Sequence, residues 1–345
     1  MSEFESMELD HLAWSGMSSD EIGYTADNLQ ITDYTYESSD GQHVDVVHVS
    51  PEGASHTVIV PASHNQRPDD FLKVQLSVIA TTTESEVTWV GEPNIGNSPR
   101  TKLSLQAIKN SIAAFWGDYV PNATTQLNAI NNTVGLSNGQ DVRFLAFSQA
   151  SAPVTGMLLS VAQEVFEPKV KVSAVDFIDN VNIFGDKGPL APIKLASSLT
   201  KIEQPRRLKY LNENSEIGHG SVKPADLVSD EDRRIHAMLT RRQFLPLYFG
   251  AQGLRWGIHT PFIRAAQDRT ADGIGLQDAD ISFYVAEDST VSNKSDVESI
   301  LELLNEKGIS ARAVEFIRGK AKRREIGHHI LDSLGSLKDF ALKKR

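Results

Sequence analysis

Three short stretches of this 345-residue chain carry side chains that could act together on a carbonyl group. Ser148 ends an apolar run between small neighbours, in DVRFLAFSQASAP. Asp288 follows a second apolar run, in ISFYVAEDSTVS, and His328 and His329 follow a glycine, in IGHHILDSL. A serine hydroxyl is a weak nucleophile that needs a base, and a histidine base needs a carboxylate to fix its tautomer. Taken alone, Ser148 reads more simply as the cap between a strand and a helix. Asp179, at the end of VSAVDFID, competes with Asp288 for the part of the acid. His328 is preferred to His329 as the base because it directly follows the flexible Gly327, whereas His329 would open the last helix.

The elements that must position these groups alternate between strand and helix. LQITDYTYES and HVDVVHVS, separated by the turn-forming SDGQ, read as a β-hairpin. VIVP is a short strand, DDFLKVQLSVIA has helical spacing, and EVTWVGEP returns to strand. Residues 102–130 are helical with an interruption near Pro121, and DVRFLAF is the next strand. A helix from Gln149 to Phe166 holds Pro153 in its first turns, where a missing N–H costs least. VKVSAVDFIDN, ISFYVAED and ISARAVEFI are further strands, with SDVESILELLNEKG a helix and another expected after GHH. This alternation predicts an α/β fold, a mostly parallel, doubly wound sheet. Between residues 184 and 278 the alternation disappears, and a stretch rich in Leu, Arg and aromatics (HAMLTRRQFLPLYFGAQGLRW) reads as helices and loops. The expected organisation is therefore an arm over 1–27 (loose, or a short helix), a core over 28–183, an inserted helical cap over 184–278, and the rest of the core over 279–345.

Composition removes several classes of function. No cysteine is present, which excludes disulfides, thiolate catalysis and Cys-ligated zinc. With 34 basic and 45 acidic residues the net charge is −11, so binding nucleic acid by phosphate neutralisation is not expected. The basic run Arg318–Arg324 (RGKAKRR) reads first as a solvated loop, otherwise as a docking patch for an anionic partner. No stretch approaches the roughly 18 apolar residues of a membrane helix. The acidic MSEFESMELDHLAW does not read as a leader, so a cytoplasmic location and no membrane partner are expected. His43, His48, His56 and His64 match no helical metal pair.

Strand, serine, helix, followed by Asp and then His, is the order of the α/β-hydrolase superfamily, and the chain resembles it over residues 28–182 and 279–345. Ala146-Phe147-Ser148-Gln149-Ala150 resembles its G-x-S-x-G turn with alanine in both glycine places. AEDSTVS is similar to its acid-bearing loop, and GHH to its terminal Gly-His. WVGEPNIGNSPRTKLS resembles its loop after the fourth strand, with Glu92, Asn94, Gly96 and Ser98 on the Asp, first Gly, second Gly and Ser places. In VIVPASHN, Pro61 and Ala62 replace the family's His-Gly pair.

The resemblance implies acyl transfer: Ser148 as nucleophile, His328 as base, Asp288 as the acid that holds the ring. The backbone N–H groups of Gln149 and Ser63, with Ala62 as the alternative to Ser63, would form the oxyanion hole. The expected substrate is a small ester or similar acyl compound, with no cofactor and no metal. Oligomeric state is not legible. Ser148 argues against dehalogenases of this type, which use Asp. A C–C bond hydrolase, or a non-catalytic ligand-binding or interaction protein of the same fold, are the alternatives; the missing glycines favour the latter, and the retained Ser, Asp and His oppose it.

Overall fold

The computed structural model describes residues 5–8, 29–54, 56–63, 68, 70–94, 104–180, 183–185, 253–268, 276–286, 289 and 292–317. Its frame is a nine-stranded sheet: β1 (Glu5–Glu8), β2 (Leu29–Glu37), β3 (His43–Pro51), β4 (His56–Pro61), β5 (Ser85–Val90), β6 (Asp141–Phe147), β7 (Lys171–Ile178), β8 (Asp280–Ala286) and β9 (Ala311–Ile317). The spatial order is β1-β9-β8-β7-β6-β4-β5-β3-β2. β2 and β3 form the expected hairpin, with Leu29 opposite Pro51, and β3 runs antiparallel to β5. The pairings from β5 through β4, β6, β7 and β8 to β9 are all parallel. Parallel strands end at one edge, so the residues that follow β4, β5, β6, β7 and β8 gather there.

Helices cover both faces, as the alternation of strand and helix requires. α1 (Asp70–Thr83) buries Leu72, Leu76 and Ile79 with Trp89, Leu145, Ile178 and Tyr284 on one face. α3 (Val120–Thr133), α4 (Ser151–Ala162), α5 (His259–Gln267) and α6 (Lys294–Glu306) share the other face with Phe144, Phe177 and Phe283. α2 (Leu105–Phe115) lies beside α3. Successive residues of each strand supply opposite faces, as the period of two demands: Phe144 looks one way and Leu145 the other.

α4 is buried along its whole length. Gly156 lets it approach α3 closely, since a Cβ there would lie 2.7 Å from the Tyr119 carbonyl oxygen. This central helix carries the Ser148 turn at its start.

Two features differ from the expected organisation. Residues 5–8, placed in the arm, form a short strand parallel to β9, with Glu5 opposite Val314. α5 falls inside the predicted cap yet belongs to the core. Phe262 is buried, and its ring meets Phe177 edge-on at 4.9 Å, while Phe177 and Phe283 stack at 4.9 Å. β7 and β8 pair directly, Asp176 opposite Ser282, so no strand comes between them. Residues 186–252 and 269–275, which hold the rest of the expected cap, lie outside the described residues. The two flanks of 186–252 are bound together: the Ile258 and His259 N–H groups both donate to the Ile183 carbonyl, at 2.9 and 3.0 Å. Gly185 and Gly257 make this crossing possible, because a Cβ on Gly185 would come within 2.5 Å of the Gly257 nitrogen.

Candidate active site

β6 runs through Phe147, and Ser148 then turns the chain with φ of +56° before α4 begins at Ser151. A left-handed backbone on a residue with a side chain costs about 1–2 kcal/mol, so it persists only where the surroundings dictate it. The Ser151 hydroxyl donates to the Ser148 carbonyl at 3.2 Å, closing the turn. Ala146 and Ala150 are fully buried on either side, which accounts for the small flanks in the sequence. The order of strand, sharp turn at Ser148 and helix read from AFSQA is present.

The neighbouring strand repeats the device. Phe147 pairs with Ile178, and the next residue, Asp179, has φ of +48°. Its buried carboxylate accepts a hydrogen bond from the Ser289 hydroxyl at 2.8 Å and a longer one from the Ala286 N–H at 3.5 Å. Asp179 therefore ties the end of β7 to the loop that follows β8. Asp288, His328 and His329 lie outside the described residues, as do Gly96, Ser98, His64 and the basic run 318–324. Of the oxyanion candidates, Ala62 already donates its N–H to the Val90 carbonyl at 2.8 Å.

At the same edge, past β5, Asn94 has φ of +65°, fitting its assignment to a glycine place. Its N–H donates to the His43 carbonyl at 2.7 Å, and its side-chain oxygen accepts from the His43 N–H at 3.2 Å. Glu92, two residues earlier, is partly accessible because it lines a cleft, but protein surrounds its carboxyl. Burial pushes its pKa up to about 8. The cleft, about 600 Å³ including its part open to solvent, runs from Glu92 and Pro93 past Tyr119 and Gln126 to Gln149 and Pro153. Burial also raises the pKa of the Tyr119 phenol. Sequence reading missed Tyr119 and Gln126. The one available signal was that Gln126 shares a helical face with Ala123, Leu127 and Ile130, all buried.

Among the described residues there is no group of three or more His, Asp or Glu that could hold a metal ion. Nor is any helix among them long and apolar enough to cross a membrane.

No protein-family model matches the chain, and no curated protein sequence does. Solved structures do. A lipase candidate from Acinetobacter baumannii is similar at a TM-score of 0.52 and 14% identity, with 91% of each chain covered. A haloalkane dehalogenase from Bradyrhizobium elkani is similar at a TM-score of 0.50 and 11% identity, covering 91% of this chain and 98% of the other. Identities this low speak to architecture rather than reaction. With one antiparallel strand near the edge, a crossover order through β4, and a strained serine where β6 meets α4, that architecture is the α/β-hydrolase fold.

Proposed function

We propose that the protein is a serine hydrolase acting on a small ester or similar acyl substrate. One observation carries the reading: a serine in left-handed conformation at the tip of the turn between β6 and a buried helix. A plain cap serine has no need of positive φ. Strain of this kind is what lifts a hydroxyl above the sheet edge.

In the proposed reaction the Ser148 Oγ attacks the ester carbonyl carbon while its proton passes to His328. Asp288 holds the resulting imidazolium. The carbonyl oxygen, now negative, takes hydrogen bonds from the Gln149 and Ser63 N–H groups, each donor worth about 3 kcal/mol at the transition state. The tetrahedral carbon then expels the alcohol, which takes the proton from His328, and leaves an acyl group on Ser148. Water, deprotonated by the same histidine, releases the acid and restores the serine. The crossing of Gly185 and Gly257 supports reading the segment between them as an insertion, and we assign substrate selection to it.

Treatment with a fluorophosphonate probe tests the reading. Wild-type protein should take up one label, and Ser148→Ala none. Wild-type protein that stays unlabelled, or label that survives in Ser148→Ala, points to the non-catalytic alternative or to another nucleophile.

A further inference from the structure

The cleft between the loop after β5 and the start of α4 contains more hydrogen-bonding capacity than its own residues use. Gln126, Tyr119 and Gln149 are 1%, 7% and 5% exposed and all line it. The Gln126 Oε1, the Tyr119 hydroxyl and the Gln149 Oε1 have no hydrogen-bond partner among the described residues. Such groups cost stability when buried unmet, so three around one space call for an occupant. The orientation of Gln126 is fixed by chemistry: its Nε2 donates to the Gly91 carbonyl at 2.9 Å, and a carbonyl can only accept. The oxygen is therefore the atom left over.

We propose that this cleft is a subsite for a neutral, hydroxyl-bearing part of the substrate, a polyol group rather than an alkyl chain. The proposal rests on the ester-hydrolase reading and adds a substrate class to it. Amide oxygens accept and never donate, so the occupant must bring donors. Among the described residues no Lys, Arg or His lines the cleft, which disfavours a carboxylate or phosphate. The rest of its lining is Pro93, Pro153 and small alanines, against which the carbon skeleton of a polyol can lie, with Asn94, Ser111 and Asn122 adding polar groups. Glu92 completes the set. With its pKa pushed up to about 8 it is a neutral acid near pH 7, able both to donate to a hydroxyl and to accept from one. A carboxyl that stays protonated is poorly suited to an ammonium ion.

The hydroxyls could belong to the alcohol or to the acyl side of the ester, so both are tested. One pair of probes is 2,3-dihydroxypropyl acetate against propyl acetate; the other is ethyl 3,4-dihydroxybutanoate against ethyl butanoate. Turnover of each is measured with wild-type protein. Binding is followed by saturation-transfer NMR with Ser148→Ala, which needs no chemistry. In at least one pair the dihydroxy ester should be favoured about tenfold or more in kcat/KM, as hydrogen bonds to unmet buried groups would give. Tyr119→Phe and Glu92→Leu should shrink that ratio, chiefly through KM, while Glu92→Gln, which keeps a donor and an acceptor, should retain most of it. Preferential binding without turnover would uphold the subsite and overturn the hydrolase reading. Turnover with no preference in either pair would overturn the subsite and leave the cleft to ordered water. Stronger binding of 2-aminoethyl acetate than of the dihydroxy ester would overturn it in favour of a cation site.

Discussion

Ser148 and Asp179 make an instructive pair. Each directly follows a residue of the Phe147–Ile178 pair in neighbouring parallel strands, and each takes left-handed φ. Beyond that point they part. The chain after Ser148 enters a buried helix, and Ser151 closes the turn from within, through the Ser148 carbonyl. The Asp179 carboxylate is instead engaged by the loop after β8, through the Ser289 hydroxyl and the Ala286 N–H. One backbone device thus serves two ends, presenting a side chain in the first turn and anchoring a neighbouring loop in the second. Ser289 directly follows Asp288 in the chain, so Asp179, the competitor for the acid's role, hydrogen-bonds to the neighbour of the proposed acid.

The comparison breaks most visibly if the first turn presents nothing. Ser148→Ala should lower ester turnover by about 10⁴-fold or more with little change in fold stability, because members of a triad act as a unit. His328→Ala should do the same, and His329→Ala should not. Loss of activity only in His329→Ala would move the base by one residue, and a p-nitrophenyl ester assay on Ser148→Ala at the wild-type rate would remove the mechanism altogether.

The two carboxylates sharpen the contrast. Asp288→Asn should cost about 10⁴-fold in kcat by favouring the wrong histidine tautomer. Asp179→Asn tolerates the left-handed backbone and keeps an oxygen for Ser289, so activity should fall less than about tenfold. The reverse pattern in this pair of assays would place the acid on β7 and reduce Asp288 to a turn residue.

Much of this edge was legible because its signals are local. DVRFLAF coincides with β6, and the break at Ser148 between small residues marked the turn. Asn94 in a glycine place was likewise visible from a short-range pattern, and its φ of +65° agrees. What escaped depends on contacts distant in sequence. ESME, with a single apolar residue in four, carries no strand periodicity; it becomes β1 only by pairing with β9. HTPFIRAAQ reads as part of an insert until Phe262 meets Phe177 and Phe283, residues that lie on two different strands. The cleft was hidden for the same reason: Glu92, Tyr119 and Gln149 sit on separate segments, and only folding makes them neighbours.

Glu92, at the end of another strand of the same edge, gives a smaller effect with a definite sign. Its folded-state pKa, about 8, lies above the ordinary value of 4.5 because burial disfavours the charged form. The stability that comes with the neutral form is fully present below pH 4.5 and is lost as pH rises through 8. Denaturant titrations should therefore show wild type weakening between about pH 5 and 8 by on the order of 1–4 kcal/mol relative to Glu92→Gln. Parallel pH profiles for the two proteins would mean that Glu92 is solvated and already charged.

The smallest predicted difference bears most directly on the two turns. At φ of +56° an alanine side chain crowds the backbone as serine's does, whereas glycine adopts this conformation without penalty. Glycine also loses more entropy on folding, which takes back part of the gain. Ser148→Gly should therefore be more stable than Ser148→Ala by about 0.5–1 kcal/mol, although both should be inactive. Measured against wild type, glycine at the second turn should not help. Asp179→Gly relieves comparable strain but deprives the Ser289 hydroxyl of its acceptor, a loss of about 1 kcal/mol or more. Thermal unfolding of the four variants, with Asp179→Ala completing the set, reads the difference directly. Equal gains over wild type from glycine at both positions would show that Asp179 braces nothing, and no gain at 148 would show that its turn is unstrained in solution. The expected asymmetry, relief at Ser148 and a net loss at Asp179, separates a turn that displays its side chain from one that depends on it.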